Sequence, residues 1–298
     1  MTVRRQKLQI SDIAHGMWRL HQWSMSAGQL QHFVEEAIAM GITTFDHADI
    51  YGNYTCEALF GDMLAQCPSL RQQMQLVTKC GIRLVSENRS ENTFHTYDTS
   101  AGHITRSVET SLKNLRTDYL DLLLIHRPDP LMDTAEVAEA FTNLRNSGKV
   151  LHFGVSNFKP WQFDLLQSQL DFALTTNQIE ISLLKMDSLH DGTLDQCQRQ
   201  GIRPMAWSPL AGGGLFGKAA MPQTKRVQTT LVEIAAELNA APDQVALAWL
   251  LKHPACIVPV VGTGNIDRLR GAAGALKINL SREQWFRLWT ASAGHEVP

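Results

Sequence analysis

A chain of 298 residues, 44% of them hydrophobic, is long enough to bury one large α/β core or two small ones. Lys and Arg number 27 against 29 Asp and Glu, a formal net charge of −2, so no electrostatic footprint for nucleic acid or an anionic membrane is present and small-molecule partners are expected. The five cysteines, Cys56, Cys67, Cys80, Cys197 and Cys256, are scattered without CxxC or HxxxH spacing, which argues for reduced thiols in the cytoplasm and against a structural zinc site.

The amino terminus, MTVRRQKLQI, is basic but has no apolar run of signal-peptide type. No stretch approaches bilayer length. A short hairpin is expected around residues 8–10, followed by the first strand in IAHGMW. A helix then opens at Ser26 with Gln29 three residues later, a capping-box pattern, and closes at Gly41.

From there strands and helices alternate. ITTFD precedes a helix near 54–65, and QLVTK a helix near 102–115. YLDLLLIH leads to a helix near 134–147, whose start, DTAE, reads as another capping box. VLHFGVSN, TTNQIEIS, RPMAWSP and CIVPVVG complete the strand candidates. Their helices are expected near 161–169, 191–200, 228–239 with 242–252, and 265–275, and SREQWFRLWT forms an additional carboxyl-terminal helix.

Eight apolar strands between amphipathic helices imply a parallel sheet covered on both faces, and eight such units without a composition break fit a (β/α)₈ TIM barrel in a single domain over 1–298. The competing open, doubly wound sheet lacks its GxGxxG turn after the first strand. Two segments break the cadence: polar residues 82–101 and the glycine-rich residues 210–226. Both lie in strand-to-helix connections, the end where barrels place their sites.

At that end sit Asp46, Tyr51, Lys79 and His126, each at or just beyond the end of a strand candidate. Singly they read as a cap, a packing ring, a surface charge and a core histidine. Together they can move a proton. A neutral phenol is a poor acid near pH 7 and needs a nearby cation and a polarised hydrogen-bond chain, which Lys79 and His126 can supply. A buried Lys needs a carboxylate to stay charged, and Asp46 is the candidate.

FDHADIYGNYTCE resembles the aldo-keto reductase signature, LVTKC and LLLIHRPD that family's Lys and His strands, and GVSNF and NQIE its nicotinamide segments. AWSPLAGGGLFG is similar to its aromatic platform and phosphate loop, and VPVVGTGNIDRLRGAAGAL to its terminal adenosine-phosphate motif. The resemblance runs in order over nearly the whole chain.

It implies an NADPH-dependent reductase of a small carbonyl substrate, with Tyr51 as general acid, Lys79 and Asp46 lowering the Tyr51 pKa, and His126 positioning the substrate oxygen. Ser156, Asn157 and Gln178 would hold the nicotinamide carboxamide, and Trp207 would stack on the ring. Ser208, the backbone of residues 210–214, including Leu210 and Gly212, and Lys218 would take the pyrophosphate. Gly262, Thr263, Asn265 and Arg268 would take the adenosine phosphate. Trp18, Trp161 and Phe216 are expected at the substrate pocket.

Two positions depart from the pattern. His47 replaces the usual Ser or Thr and adds a titratable group expected to alter the pH profile. Glycines 262 and 264 stand where many members carry a Lys, which leaves NADP preference resting on Arg268. The little sequence beyond the last helix implies an open, tolerant pocket. Two other classes compete: an accessory subunit or redox sensor with little turnover, and a metal-dependent barrel hydrolase using His15, Asp49 and His126.

Overall fold

The computed structural model describes residues 8–218 and 221–298. Its strands are β1 (Ala14–Gly16), β2 (Thr44–Asp46), β3 (Gln75–Cys80), β4 (Leu120–Ile125), β5 (Val150–Ser156), β6 (Asn177–Glu180), β7 (Met205–Trp207) and β8 (Val258–Val261). Each pairs in parallel with the next, and β8 pairs back onto β1 to close the barrel.

The continuous apolar runs follow from burial on both faces. In β4, Leu122 and Leu124 join Ala14, Val77, Met205, Val258 and Val260 inside the barrel, while Leu123 and Ile125 face the helices with Phe45, Phe153 and Val155. A period of two thus sends alternate residues into two different cores.

Ten helices of eight or more residues surround the described barrel: α1 (Ala27–Ala39), α2 (Cys56–Gln66), α3 (Ala101–Leu115), α4 (Thr134–Asn146), α5 (Pro160–Gln167), α6 (Thr193–Gln200), α7 (Pro222–Leu238), α8 (Pro242–Leu251), α9 (Ile266–Gly274) and α10 (Arg282–Ala293). The Ser26 capping box on α1 forms in full. The one expected at DTAE forms by half. Asp133 accepts from the Ala135 and Glu136 amides, but the Glu136 carboxylate reaches instead to the Ala101 amide at 2.9 Å and caps α3.

Helix α7 starts at Pro222 rather than near 228, because Pro is well placed in a first turn and the polar residues after it form the outer face. Helix α10 docks through Trp285, which stacks on Trp249 of α8 at 5.0 Å and 12°.

The amino-terminal hairpin is a correction. Residues 8–10 form no strand, and the rest of the expected hairpin lies outside the described residues. Leu8 and Ile10 instead pack against the interior cluster from the amino-terminal end of the barrel, where Arg203 donates to the Ile10 carbonyl at 3.1 Å. Among residues 82–101 a small antiparallel ladder forms between Ile82–Arg83 and Thr96–Tyr97.

Helices α2 and α3 meet at Gly61, where an added Cβ would fall inside the van der Waals shell of the Asn114 carbonyl oxygen. Backbone cannot yield there as a flexible side chain would. Gly61→Ala is expected to destabilise the protein by about 1–3 kcal/mol, read as a lower urea midpoint at unchanged slope; an unaltered midpoint would mean that the two helices slide apart freely.

Candidate active site

The barrel brings the carboxyl ends of its strands to one rim. Gly16, Asp46 and Val77 are in register across β1, β2 and β3, and Lys79, two residues past the inward-facing Val77, shares its face. Beyond Asp46 the chain keeps bonding to β3: the His47 amide donates to Val77 O at 2.8 Å and the Asp49 amide to Lys79 O at 3.1 Å. This continued ladder aims the His47 carbonyl at Lys79, and the short helical turn Tyr51–Tyr54 returns the phenol to it.

The fully buried Lys79 ammonium donates to Asp46 Oδ2 at 2.8 Å, His47 O at 2.7 Å and Tyr51 OH at 3.0 Å. All its protons are used. With Lys79 donating to the phenol oxygen, the Tyr51 proton is free to point elsewhere. His126, just past β4, lies with its ring 6.0 Å from that of Tyr51 at 76°.

Burial pulls the Lys79 pKa down, but Asp46 and then Tyr51 outweigh it and hold the ammonium above the ordinary lysine value. For Tyr51 burial dominates and raises the pKa, while the Lys79 charge pulls it down. The phenol is therefore protonated near neutrality. Asp46 pushes the Tyr51 pKa up rather than down, so the expectation that both charged neighbours lower it is corrected: Asp46 serves Lys79. Burial, Lys79 and Arg127 hold His126 well below its ordinary value, a neutral imidazole with Nδ1 buried and unpartnered.

The expected titration of His47 is also corrected. Burial first, then Lys79 and His15, lower it to about 3. Its ring packs edge-on against Phe60 at 4.6 Å and stays neutral through the physiological range.

Gln178 joins this cluster directly, its amide nitrogen donating to Asp46 Oδ1 at 2.9 Å. A relay continues from it: Ser156 Oγ donates to Gln178 O at 2.9 Å, Asn157 Nδ2 to Ser156 Oγ at 2.8 Å, and Trp207 Nε1 to Asn157 Oδ1 at 2.9 Å. Trp207 is thereby tied to the same network as Lys79. Ser208 adopts a left-handed φ of 49°, and the turn after Leu210 passes through Gly212 and Gly213 at φ of 64° and 97°, with open space around both. Lys218 is exposed at the end of this segment.

Across the barrel, the Thr263 carbonyl accepts from His15 Nε2 at 2.9 Å, Gly262 is exposed, and Asn265 caps α9 by accepting from the Arg268 amide at 3.0 Å. The Arg268 side chain is exposed in that first turn and has no ion-pair partner among the described residues, whereas Arg270 pairs with Glu36 and Asp267. An unpaired guanidinium at a helix N-terminus and an open glycine turn fit a phosphorylated dinucleotide.

Trp18 and Phe216 lie on strand-to-helix connections and Trp161 in the first turn of α5, exposed by 55%, 43% and 66%, and among the described residues none contacts another aromatic ring. The hydrolase set does not assemble: His15 is spent on Thr263, Asp49 Oδ2 accepts from Ser107 Oγ at 2.7 Å, and no three His, Cys, Asp or Glu converge as metal ligands among the described residues.

Comparison with known proteins identifies the family. The Aldo/keto reductase family model matches residues 12–292. The chain belongs to that family. Among its aldo/keto reductase relatives, an oxidoreductase of Bacillus subtilis, YcsN, is 53% identical, over 98% of this chain and 97% of the relative. A 6-dehydroglucose reductase of Agrobacterium fabrum is 48% identical over 98% and 97%. The crystal structure of an aldo/keto reductase from Klebsiella pneumoniae in complex with NADP and acetate superposes with a TM-score of 0.75 at 25% identity, covering 94% of this chain and 90% of that one.

Sequence reading missed Arg127, whose guanidinium lies 5.3 Å from the Trp207 ring centroid; its place beside His126 was the available signal. It also passed over a buried acidic layer beneath the site, where Glu57 accepts from Thr78 Oγ1 at 2.6 Å and burial pushes Asp49 up from 3.8 to about 7. Between those two values the fold holds a proton that the unfolded chain releases, so the stability Asp49 contributes is full below about pH 4 and lost by about pH 7. Asn mimics the protonated carboxyl. Asp49→Asn is expected to make the fall in Tm between pH 4.5 and pH 8 shallower by about 5 °C, checked by calorimetry; parallel curves for the two proteins would show that Asp49 ionises without penalty.

Proposed function

We infer that the protein reduces aldehydes or ketones to alcohols with NADPH. The observation that carries this reading is the joint use of Lys79, whose buried ammonium bonds Asp46 and Tyr51 at once. A cation kept charged against a protonated phenol is what proton delivery to a forming alkoxide requires.

When bound, NADPH supplies the hydride for the carbonyl carbon. Tyr51 donates its proton to the carbonyl oxygen as negative charge develops there. Lys79 stabilises the phenolate left behind, and Asp46 keeps Lys79 charged while that happens. Neutral His126 orients the carbonyl oxygen toward the phenol. Trp207, fixed by Asn157, is the platform for the nicotinamide, with Ser156, Asn157 and Gln178 at its carboxamide edge. Ser208, Leu210, Gly212 and Lys218 receive the pyrophosphate; Gly262, Thr263, Asn265 and Arg268 receive the adenosine phosphate.

NADP in the Klebsiella pneumoniae structure supports the cofactor. The Agrobacterium fabrum relative's name makes a hydroxyl-rich aldehyde the first substrate to assay.

Tyr51→Phe keeps the ring and removes the proton. It is expected to lose about 10²-fold or more in kcat while binding NADPH as tightly as wild type, followed by NADPH absorbance and fluorescence titration. Near-normal turnover would remove Tyr51 as the acid.

Arg268→Ala tests the phosphate contact. A charge-assisted bond to the 2′-phosphate contributes about 1.5–3 kcal/mol, so NADPH affinity should fall about ten-fold to a hundred-fold with little change for NADH. Equal weakening of both cofactors would take Arg268 out of the site.

A further inference from the structure

Arg127 rises from the end of β4 directly after His126, half-buried, with its guanidinium 5.3 Å from the Trp207 ring centroid. Two neighbouring arginines, Arg83 and Arg89, have hydrogen bonds. Arg83 donates to Asn92 Oδ1 at 2.8 Å, and Arg89 to the Asn88 carbonyl at 2.8 Å while lying over Tyr54. For Arg127 no carboxylate, carbonyl or hydroxyl accepts a hydrogen bond among the described residues.

That is an unusual economy. A guanidinium is a permanent charge with a rigid fork of N–H donors, and half-burying it costs solvation that the face of one indole does not return. The cost is greater here because a second cation, Lys79, is already buried in the site. The field of Arg127 lowers both Tyr51 and His126, so it lies within electrostatic reach of the two groups that face the reacting oxygen.

The adenosine phosphate does not account for it, because its cradle sits on the loop after β8, which stands opposite β4 in the closed strand order. Arg127 shares its strand end with His126, on the carbonyl's side.

We propose that Arg127 is a specificity-determining residue whose N–H fork binds an acceptor oxygen of the substrate, a hydroxyl or a carboxylate, while the substrate's carbonyl meets Tyr51 and His126. The assignment rests on the carbonyl-reduction reading and adds the class of carbonyl compound: one that carries a second oxygen function. A plain alkyl aldehyde leaves the fork unanswered. Charge-assisted bonds from a partly desolvated guanidinium discriminate by about ten-fold to a hundred-fold.

The test compares two pairs of aldehydes, glyceraldehyde with propanal and succinic semialdehyde with butanal. Binding to the protein–NADP⁺ complex, which cannot reduce them, is read by tryptophan fluorescence, and kcat/KM is measured with NADPH. Wild type is expected to favour the oxygen-bearing member of at least one pair by about ten-fold or more. Preference within the first pair identifies a hydroxyl as the ligand, and within the second a carboxylate.

Arg127→Met, which keeps a chain of similar length over Trp207, should erase that preference, and Arg127→Lys should restore part of it. Arg127→Gln gives the same reading if the Met variant does not fold. No preference in wild type, a preference that survives the substitution, or an equal loss for all four aldehydes with weakened NADP⁺ binding would overturn the assignment, the last by showing that Arg127 only steadies Trp207. An Arg127-dependent binding preference in a protein that reduces none of the four would leave the assignment standing and remove the carbonyl-reduction reading instead.

Discussion

A lysine ammonium with no exposed surface is the constraint around which this molecule is arranged. Moving such an ion from water into a dry interior costs on the order of 20 kcal/mol in the idealised limit, and several even after relaxation. Lys79 meets that cost with a carboxylate, a backbone carbonyl and a phenol oxygen. Each acceptor is in turn held by something else: Asp46 by Gln178, the His47 carbonyl by the ladder to β3, and Tyr51 by the helical turn that carries it. Loosening any one exposes the charge, so stability and chemistry draw on the same contacts.

The barrel is the scaffold that makes this affordable. Parallel closure puts the ends of all eight strands on one rim, so residues far apart in the chain converge without long excursions. Inward and outward residues alternate, and one step past the apolar interior the inward positions turn polar: Val77 is followed on its face by Lys79. The loops that close over this rim are the ones with glycine, polar or aromatic character. Rigid strands position the proton-handling groups, and the connections carry what varies with ligand.

The network extends further than the four residues at its centre. Through Gln178, Ser156 and Asn157 it reaches Trp207, which couples the aromatic platform to the carboxylate that keeps Lys79 charged. Beneath it, Asp49 and Glu57 form a buried acidic layer in which desolvation raises both carboxyls, Asp49 to about 7. Above it, Arg127 adds a second cation at the mouth. A neutral His126 between Lys79 and Arg127 follows from that crowding: a third positive charge there would be opposed by both neighbours and by burial.

Period-two apolar runs, helix caps and the chemical types at strand ends were legible in the chain itself, because they are local: alternation reports burial on both faces, Ser26 with Gln29 reports a helix start, and a Lys or His closing an apolar run reports a polar rim. What lay beyond local reading depended on which distant residue fills a given space. Gln178 meets Asp46 across 132 positions and His15 meets Thr263 across 248, and no spacing rule encodes either. The same holds for Leu8 and Ile10, which pack against the barrel interior instead of pairing in a strand, and for Glu136, which caps a neighbouring helix rather than its own. The charge states were decided only by the fold as well. Burial shifts His47 and His126 down and Asp49 up from their ordinary titration, because the sequence specifies a group's intrinsic chemistry while burial and neighbouring charge, which exist only once the chain has closed, determine which form of it survives.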